Sequence, residues 1–230
     1  LDAIQQAFAM LRPKIHYSMK ANANMDVLRT LINTGVGVDA VSAGEIHRAL
    51  AAGADPNKIV FAGVGKTAEE IRYALDQGVG WFNVENVEEL RMIDDIAGSL
   101  WRDNVPIALR FNPDVTANTH PYIATGHGAA KFGLTAEVIR YLLLHRNEYP
   151  RLSIRGLHMH IGSNLKDTRA TQMAVQNALD LIQPYEDIRT LNIGGGFPVS
   201  YLGEPVPELS EFARVIAPML SDYRIMLEPG

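Results

Sequence analysis

The sequence predicts an α/β fold, a parallel (β/α)8 barrel of the TIM type, on three observations. Short apolar runs alternate with amphipathic helical stretches throughout. Eight such runs fit within 230 residues. Polar residues gather just after the runs, at what would be one mouth of a closed parallel sheet.

The chain opens on a helical pattern over residues 1–11 that starts without a methionine. The first strand, 15–19, ends at Lys20-Ala-Asn22 and is followed by helical periodicity over 25–33. An open doubly wound sheet would place a Gly-x-Gly-x-x-Gly turn here, and none is present. The second strand (36–41) and third (59–62) are followed by helices over 43–52 and 68–76. The fourth (81–84) and fifth (107–111) precede helices over 87–97 and 136–147, the latter after a long Gly-, Thr- and His-rich connection over 112–134. A connection of that length points to function or disorder. The sixth strand (154–160) leads to a helix over 169–183, the seventh (190–193) to one over 209–221, and the eighth (224–227) closes the pattern. Loops after the second, fourth and seventh strands read as short. No linker interrupts the alternation, so residues 1–230 form one domain, and the chain reads as truncated after strand eight because a buried strand ordinarily has a following element to cover it.

Composition narrows the functions. Hydrophobic residues make up 47% of the chain, enough for one sizeable core, and the net charge of −5 has interspersed signs. Neither nucleic acid nor an anionic membrane surface is indicated as a partner. Cysteine is absent, so no disulfide framework or thiol nucleophile lies in this sequence. No apolar run reaches the roughly 18 residues of a membrane span, and no signal peptide opens the chain. A cytoplasmic protein is the expectation.

The strand ends carry the candidate chemistry. They offer Lys20 and Asn22, then Asp39, Ser42 and Glu45, then Glu85 and Asn86, then Arg110 and Asn112. The last three strands add His158, His160 and Ser163, then Gly194-Gly195-Gly196, and finally Glu228. A glycine run lets backbone amides approach an anion closely, and in barrels of this kind phosphate is often held after strands seven and eight. A tight turn is the simpler reading of the same run. His158 and His160 share a strand face and match a metal-ligand spacing, but no histidine follows them, and no metal site is expected. A carboxylate such as Glu228 can hold a ring nitrogen in its protonated form, or can pair with an arginine. Lys20 is a solvated strand-end lysine or a nucleophile. An amine, an anion cradle and a carboxylate at one mouth suit a phosphorylated aldehyde held as a Schiff base, and pyridoxal 5'-phosphate is such a molecule.

These motifs resemble a known family. Met19-Lys-Ala-Asn22, Val38-Asp-Ala-Val-Ser-Ala-Gly-Glu45, Leu109-Arg-Phe-Asn-Pro113, Thr125-Gly126 with Lys131-Phe-Gly133, His158-Met-His-Ile-Gly-Ser163, Gly194-Gly-Gly196 and Glu228-Pro-Gly230 come in the order seen in the fold-type III pyridoxal-phosphate decarboxylases, which share a barrel like that of alanine racemase. Residues 59–67 and 120–133 are more similar to the diaminopimelate branch than to the ornithine or arginine branches. Ala130 and Glu85-Asn86 depart from the family's commoner residues, with small effects expected.

The resemblance implies decarboxylation of meso-2,6-diaminopimelate to L-lysine, with an amino acid as substrate. It implies Lys20 as the Schiff-base lysine, His160 stacked on the cofactor ring and Glu228 on the pyridine nitrogen. Ser163 and the three glycines would bind the phosphate, and Asp39, Glu45 and Arg110 would line the cofactor side of the pocket. It further implies a homodimer completed by a C-terminal β-domain that supplies a cysteine, so the 230-residue piece is expected to be inactive alone. Another amino-acid decarboxylase, a racemase, a non-catalytic cofactor binder and a cofactor-free aldolase using Lys20 stay open.

Overall fold

The computed structural model describes residues 1–115, 132–201 and 203–230. Of the sequence motifs, His120, Thr125, Gly126, Ala130 and Lys131 lie outside the described residues.

Eight parallel strands close a barrel in sequence order. They are β1 (Lys14–Ser18), β2 (Gly37–Ala40), β3 (Ile59–Phe61), β4 (Trp81–Val84), β5 (Val105–Arg110), β6 (Leu152–His158), β7 (Thr190–Asn192) and β8 (Arg224–Leu227). Closure is direct, with Lys14 opposite Met226 and Ile15 opposite Leu227. The helices are α1 (Asp2–Ala7), α2 (Met25–Ile32), α3 (Ala43–Ala51), α4 (Ala68–Asp76), α5 (Val87–Ser99), α6 (Ala136–Leu144), α7 (Arg169–Ile182) and α8 (Leu209–Ile216). Helix α1 precedes the barrel, and each of the other seven connects consecutive strands. No helix among the described residues is long and apolar enough to cross a membrane.

Strand alternation sorts side chains between two cores. Outward residues such as Met19, Phe82, Ile107, Leu157 and Leu191 are fully or almost fully buried under the helices. Inward positions carry the polar set, including Ser18, Asp39, Asn83, His158, Asn192 and Glu228, all buried. The apolar layer supplies the stability, at about 1.5–3 kcal/mol for each fully buried large side chain. That layer lets the interior be polar.

Helix starts are set by local chemistry at the mouth. Ser42 caps α3 through the Glu45 amide, Asn86 caps α5 through the Glu89 amide, and Thr67 with Glu70 forms a capping box on α4. The other Glu70 oxygen accepts the Ala43 amide 3.0 Å away, tying α4 to the start of α3.

Four expectations are corrected. The helical pattern over 1–11 forms a helix only over Asp2–Ala7 and continues as turn. The helix over 209–221 stops at Ile216, because Pro218 lacks the amide a helix needs and a 3-10 turn, Ala217–Met219, replaces its end. The helix over 136–147 likewise gives way to a 3-10 turn, Arg146–Glu148. The connection after β7 is long, taking up residues 193–208 before α8 begins.

Candidate active site

A cavity of about 310 Å³ opens at the C-terminal mouth, and its wall includes Lys20, Asp39, Arg110, His158, His160 and Glu228. Ser163, Gly196 and Gly230 complete one side. The groove between α6 and α7 is larger, about 550 Å³. Unpaired buried polar atoms favour the mouth instead. Asp39 Oδ1 and both ring nitrogens of His158 have no hydrogen-bond partner, and each belongs to a residue on the mouth cavity wall. Folded proteins rarely leave such atoms unsatisfied, and where they do a ligand site is a natural cause.

Glu228 follows β8 and is held by two amides. Asn83 from β4 and Asn192 from β7 both donate to its Oε1, at 2.9 and 2.5 Å. Its Oε2 lies 3.2 Å from His158 Nε2, without the direction of a hydrogen bond. No arginine pairs with it among the described residues. Asp39 accepts a 2.5 Å hydrogen bond from Ser18, whose hydroxyl oxygen also lies 3.3 Å from the Glu228 carbonyl oxygen. Burial first, and then the Glu228 charge, push the Asp39 carboxyl up to about 7.

The two histidines behave alike. Burial lowers His158 to about 3, with Arg110 adding to the effect, and lowers His160 to about 3, with Arg110 and then Lys20 adding. Both rings are therefore neutral near pH 7. His160 stands two residues past the end of β6 instead of within it, yet it shares the cavity wall with His158. Among the described residues no group of three or more His, Asp or Glu is arranged to hold a metal ion.

Arg110 ends β5 and forms an ion pair with buried Glu85, while its guanidinium carbon sits 5.2 Å from the centre of the Phe132 ring. Lys20 is exposed at the rim. The glycine run is packed too tightly for side chains. A Cβ on Gly195 would come within 2.3 Å of the Glu228 carbonyl oxygen, and one on Gly196 within 2.1 Å of the Gly162 carbonyl oxygen. A Cβ on Gly194 would meet His160 Nδ1 at 2.8 Å. Of the three, Gly196 lines the cavity.

Several strand-end residues serve local structure instead. Ser42 and Asn86 cap helices, Asn22 accepts the Asn24 amide, and Glu45 accepts the Val41 amide at 2.7 Å and is not on the cavity wall. Sequence reasoning missed Asn83 and Asn192. The signal was a single amide residue inside otherwise apolar runs, Phe82-Asn83-Val84 and Leu191-Asn192-Ile193. Ser18 was missed because a serine within a strand carries no signal of its own.

These residues fit pyridoxal phosphate. Lys20 offers a primary amine that an aldehyde can take, and Ser163 and Gly196 lie on the same cavity wall. Glu228 offers a carboxylate fixed by two amides, and Asp39 Oδ1 and the His158 ring nitrogens, which have no hydrogen-bond partner, belong to the same wall.

Comparison with known proteins agrees. The family model described as "Pyridoxal-dependent decarboxylase, pyridoxal binding domain" matches residues 1–230. Diaminopimelate decarboxylase of Neisseria meningitidis serogroup B is 39% identical over 98% of this chain and 56% of its own length, and that of Vibrio cholerae is 42% identical over 94% and 53%. The Helicobacter pylori diaminopimelate decarboxylase solved with L-lysine superposes with a TM-score of 0.90 at 39% identity, covering 100% of this chain and 61% of that one. The chain spans about half the length of the curated relatives it matches. A closed barrel with an amine, a glycine turn and an anchored carboxylate at one mouth, matched end to end by the family model, leads to one conclusion: the chain belongs to the pyridoxal-dependent decarboxylases, as their pyridoxal-binding domain.

Proposed function

We propose that this barrel is the cofactor-binding part of an enzyme that decarboxylates meso-2,6-diaminopimelate to L-lysine. The observation that carries the reading is one cavity shared by Lys20, Glu228 and the glycine turn after β7. The diaminopimelate assignment rests on identities of 39–42% to enzymes of that name, against 25% for the structural neighbour described as a lysine/ornithine decarboxylase.

When bound, pyridoxal phosphate supplies an electron sink for the carbanion left by loss of carbon dioxide. The protein's share is binding, orientation and charge. Lys20 holds a primary amine at the rim as the covalent anchor. Glu228, its Oε1 occupied by Asn83 and Asn192, keeps Oε2 for holding a proton on the ring nitrogen. Neutral His160 offers a flat, uncharged face beside the Gly194 turn, so it packs against a ring without repelling a cation. Ser163 and the turn through Gly194, Gly195 and Gly196 bind the phosphate. Asp39 and Arg110 shape the cofactor side of the wall, Arg110 with its charge balanced by Glu85.

The same reading has the enzyme working in the cytoplasm as a homodimer; light scattering of the full-length protein tests the dimer, and cell fractionation tests the compartment. Reduction of the cofactor-loaded protein with borohydride, followed by peptide mass analysis, should place the cofactor on Lys20. Lys20→Ala should carry none and should lose decarboxylation in the full-length protein by several orders of magnitude. A label on another lysine would overturn the site. Turnover of ornithine or arginine in preference to diaminopimelate would overturn the substrate alone.

A further inference from the structure

The opposite mouth of the barrel carries its own cluster. Inward parity on β1 runs Lys14, His16, Ser18, and on β8 it runs Arg224, Met226, Glu228, so the strands that end at the cofactor cavity begin with two inward cations. Both line a cavity of about 220 Å³ at the N-terminal mouth, with Arg155 at its rim and Thr190 between them. Register places the four on consecutive strands, since Gly156, next to Arg155, pairs with Thr190, Thr190 pairs with Arg224, and Lys14 stands opposite Met226.

What is missing from this wall is any acid. The residues lining it include no aspartate or glutamate. Among the described residues none of Lys14, Arg155 and Arg224 has a carboxylate within ion-pair distance, although the chain as a whole carries −5. Gathered cations with no counter-charge repel one another, and an anion relieves that cost.

The interior of the cavity is built. His16 is 5% exposed, faces this space, and keeps its Nδ1 without a hydrogen-bond partner. Burial lowers it to about 4, with Glu228 opposing and Lys14 adding to the effect, so the ring is neutral and adds hydrogen-bonding capacity without charge. Its place is fixed by neighbours. A Cβ on Gly37 would lie 2.4 Å from His16 Cδ2, and one on Gly80, on the cavity wall, 2.2 Å from the Asn57 carbonyl oxygen.

We propose that the N-terminal mouth binds a small polyvalent oxyanion, held by Lys14, Arg224 and Arg155 over the His16 ring. The site is separate from the cofactor cavity, and the proposal does not depend on the reaction performed there. Isothermal titration of the full-length, cofactor-loaded protein at constant ionic strength tests it, with inorganic phosphate in one arm and citrate in the other. Saturable binding of one anion per chain is the expected result, weakened about tenfold in Lys14→Gln and again in Arg224→Gln, the loss of one charge-assisted contact each. Tighter phosphate marks a phosphate site, and tighter citrate a carboxylate site. The control Arg91→Gln, on an exposed helix face, should bind as the parent does. Both cations are exposed, so the variants should keep the fold, and circular dichroism checks that. Heat that never saturates, or binding unchanged in both Lys14→Gln and Arg224→Gln, would overturn the proposal.

Discussion

At the scale of single residues, the site depends on a carboxylate held by two amides and on a glycine turn with no room for a side chain. Glu228 takes two amides on one oxygen, Asn83 from β4 across the barrel and Asn192 from β7 next to β8. Removing either amide leaves a buried acceptor short of a donor, which costs about 1–3 kcal/mol. Asn192→Leu should therefore lower stability by about that amount in urea titrations and also weaken cofactor retention in dialysis. Gly196 has a φ of +81°, and a Cβ there would meet a carbonyl oxygen at 2.1 Å. Gly196→Ala should cost about 2 kcal/mol or more and loosen phosphate binding, read by denaturation and by the cofactor's dissociation constant. An unchanged affinity would show that the turn does not face the phosphate.

At the scale of elements, one buried lysine ties three together. Lys66 donates to the Gly63 carbonyl after β3, to the Asn83 carbonyl on β4 and to Glu89 in the first turn of α5, at 2.8, 2.8 and 2.7 Å. Both charged groups are almost fully buried, at 1% and 4% side-chain exposure. Burial raises the Glu89 carboxyl, and the Lys66 charge opposes that rise. Breaking such a pair from one side costs about 3–5 kcal/mol, because the remaining charge stays buried. Lys66→Met should therefore be far less stable than the parent. Combining it with Glu89→Leu should recover part of the loss in thermal unfolding. Failure to recover would assign the loss to the two carbonyl contacts. The same elements show why helix starts were legible in the sequence while three helix ends were not. Ser42, Thr67, Asn86 and Thr135 announce their caps locally, whereas apolar periodicity continues past Pro218 and hides the helix end there.

At the scale of the whole molecule, the polar interior makes stability depend on pH in a stated direction. Burial lowers His16 to about 4 and His158 and His160 to about 3, from 6.5. Below pH 6.5 the unfolded chain gains protons at these rings that the folded chain refuses, so stability falls as pH drops from about 6.5 toward 4. Asp39, raised from 3.8 to about 7, works the other way and loses its contribution as pH rises through that range. Burial raises Glu45, Glu89 and Asp94 in the same sense as Asp39, but the large shifts are those of Asp39 and the three histidines, and among these the histidines set the direction. The melting temperature of the cofactor-free chain should fall on the acid side, and more steeply in Asp39→Asn; a flat profile from pH 6.5 to 4 would contradict this. Eight strands, their order and the side on which Lys20, Asp39, Arg110, His160, Gly196 and Glu228 emerge were all readable from the sequence. Alternation and strand-end position are local properties, and a parallel barrel turns them into a shared mouth. Contacts between distant strands were not readable that way. The pairing of Arg110 with Glu85, of Glu228 with Asn83 and Asn192, and the acid-free cluster at the opposite mouth depend on which strands become neighbours and how their registers align, and only the closed barrel decides that.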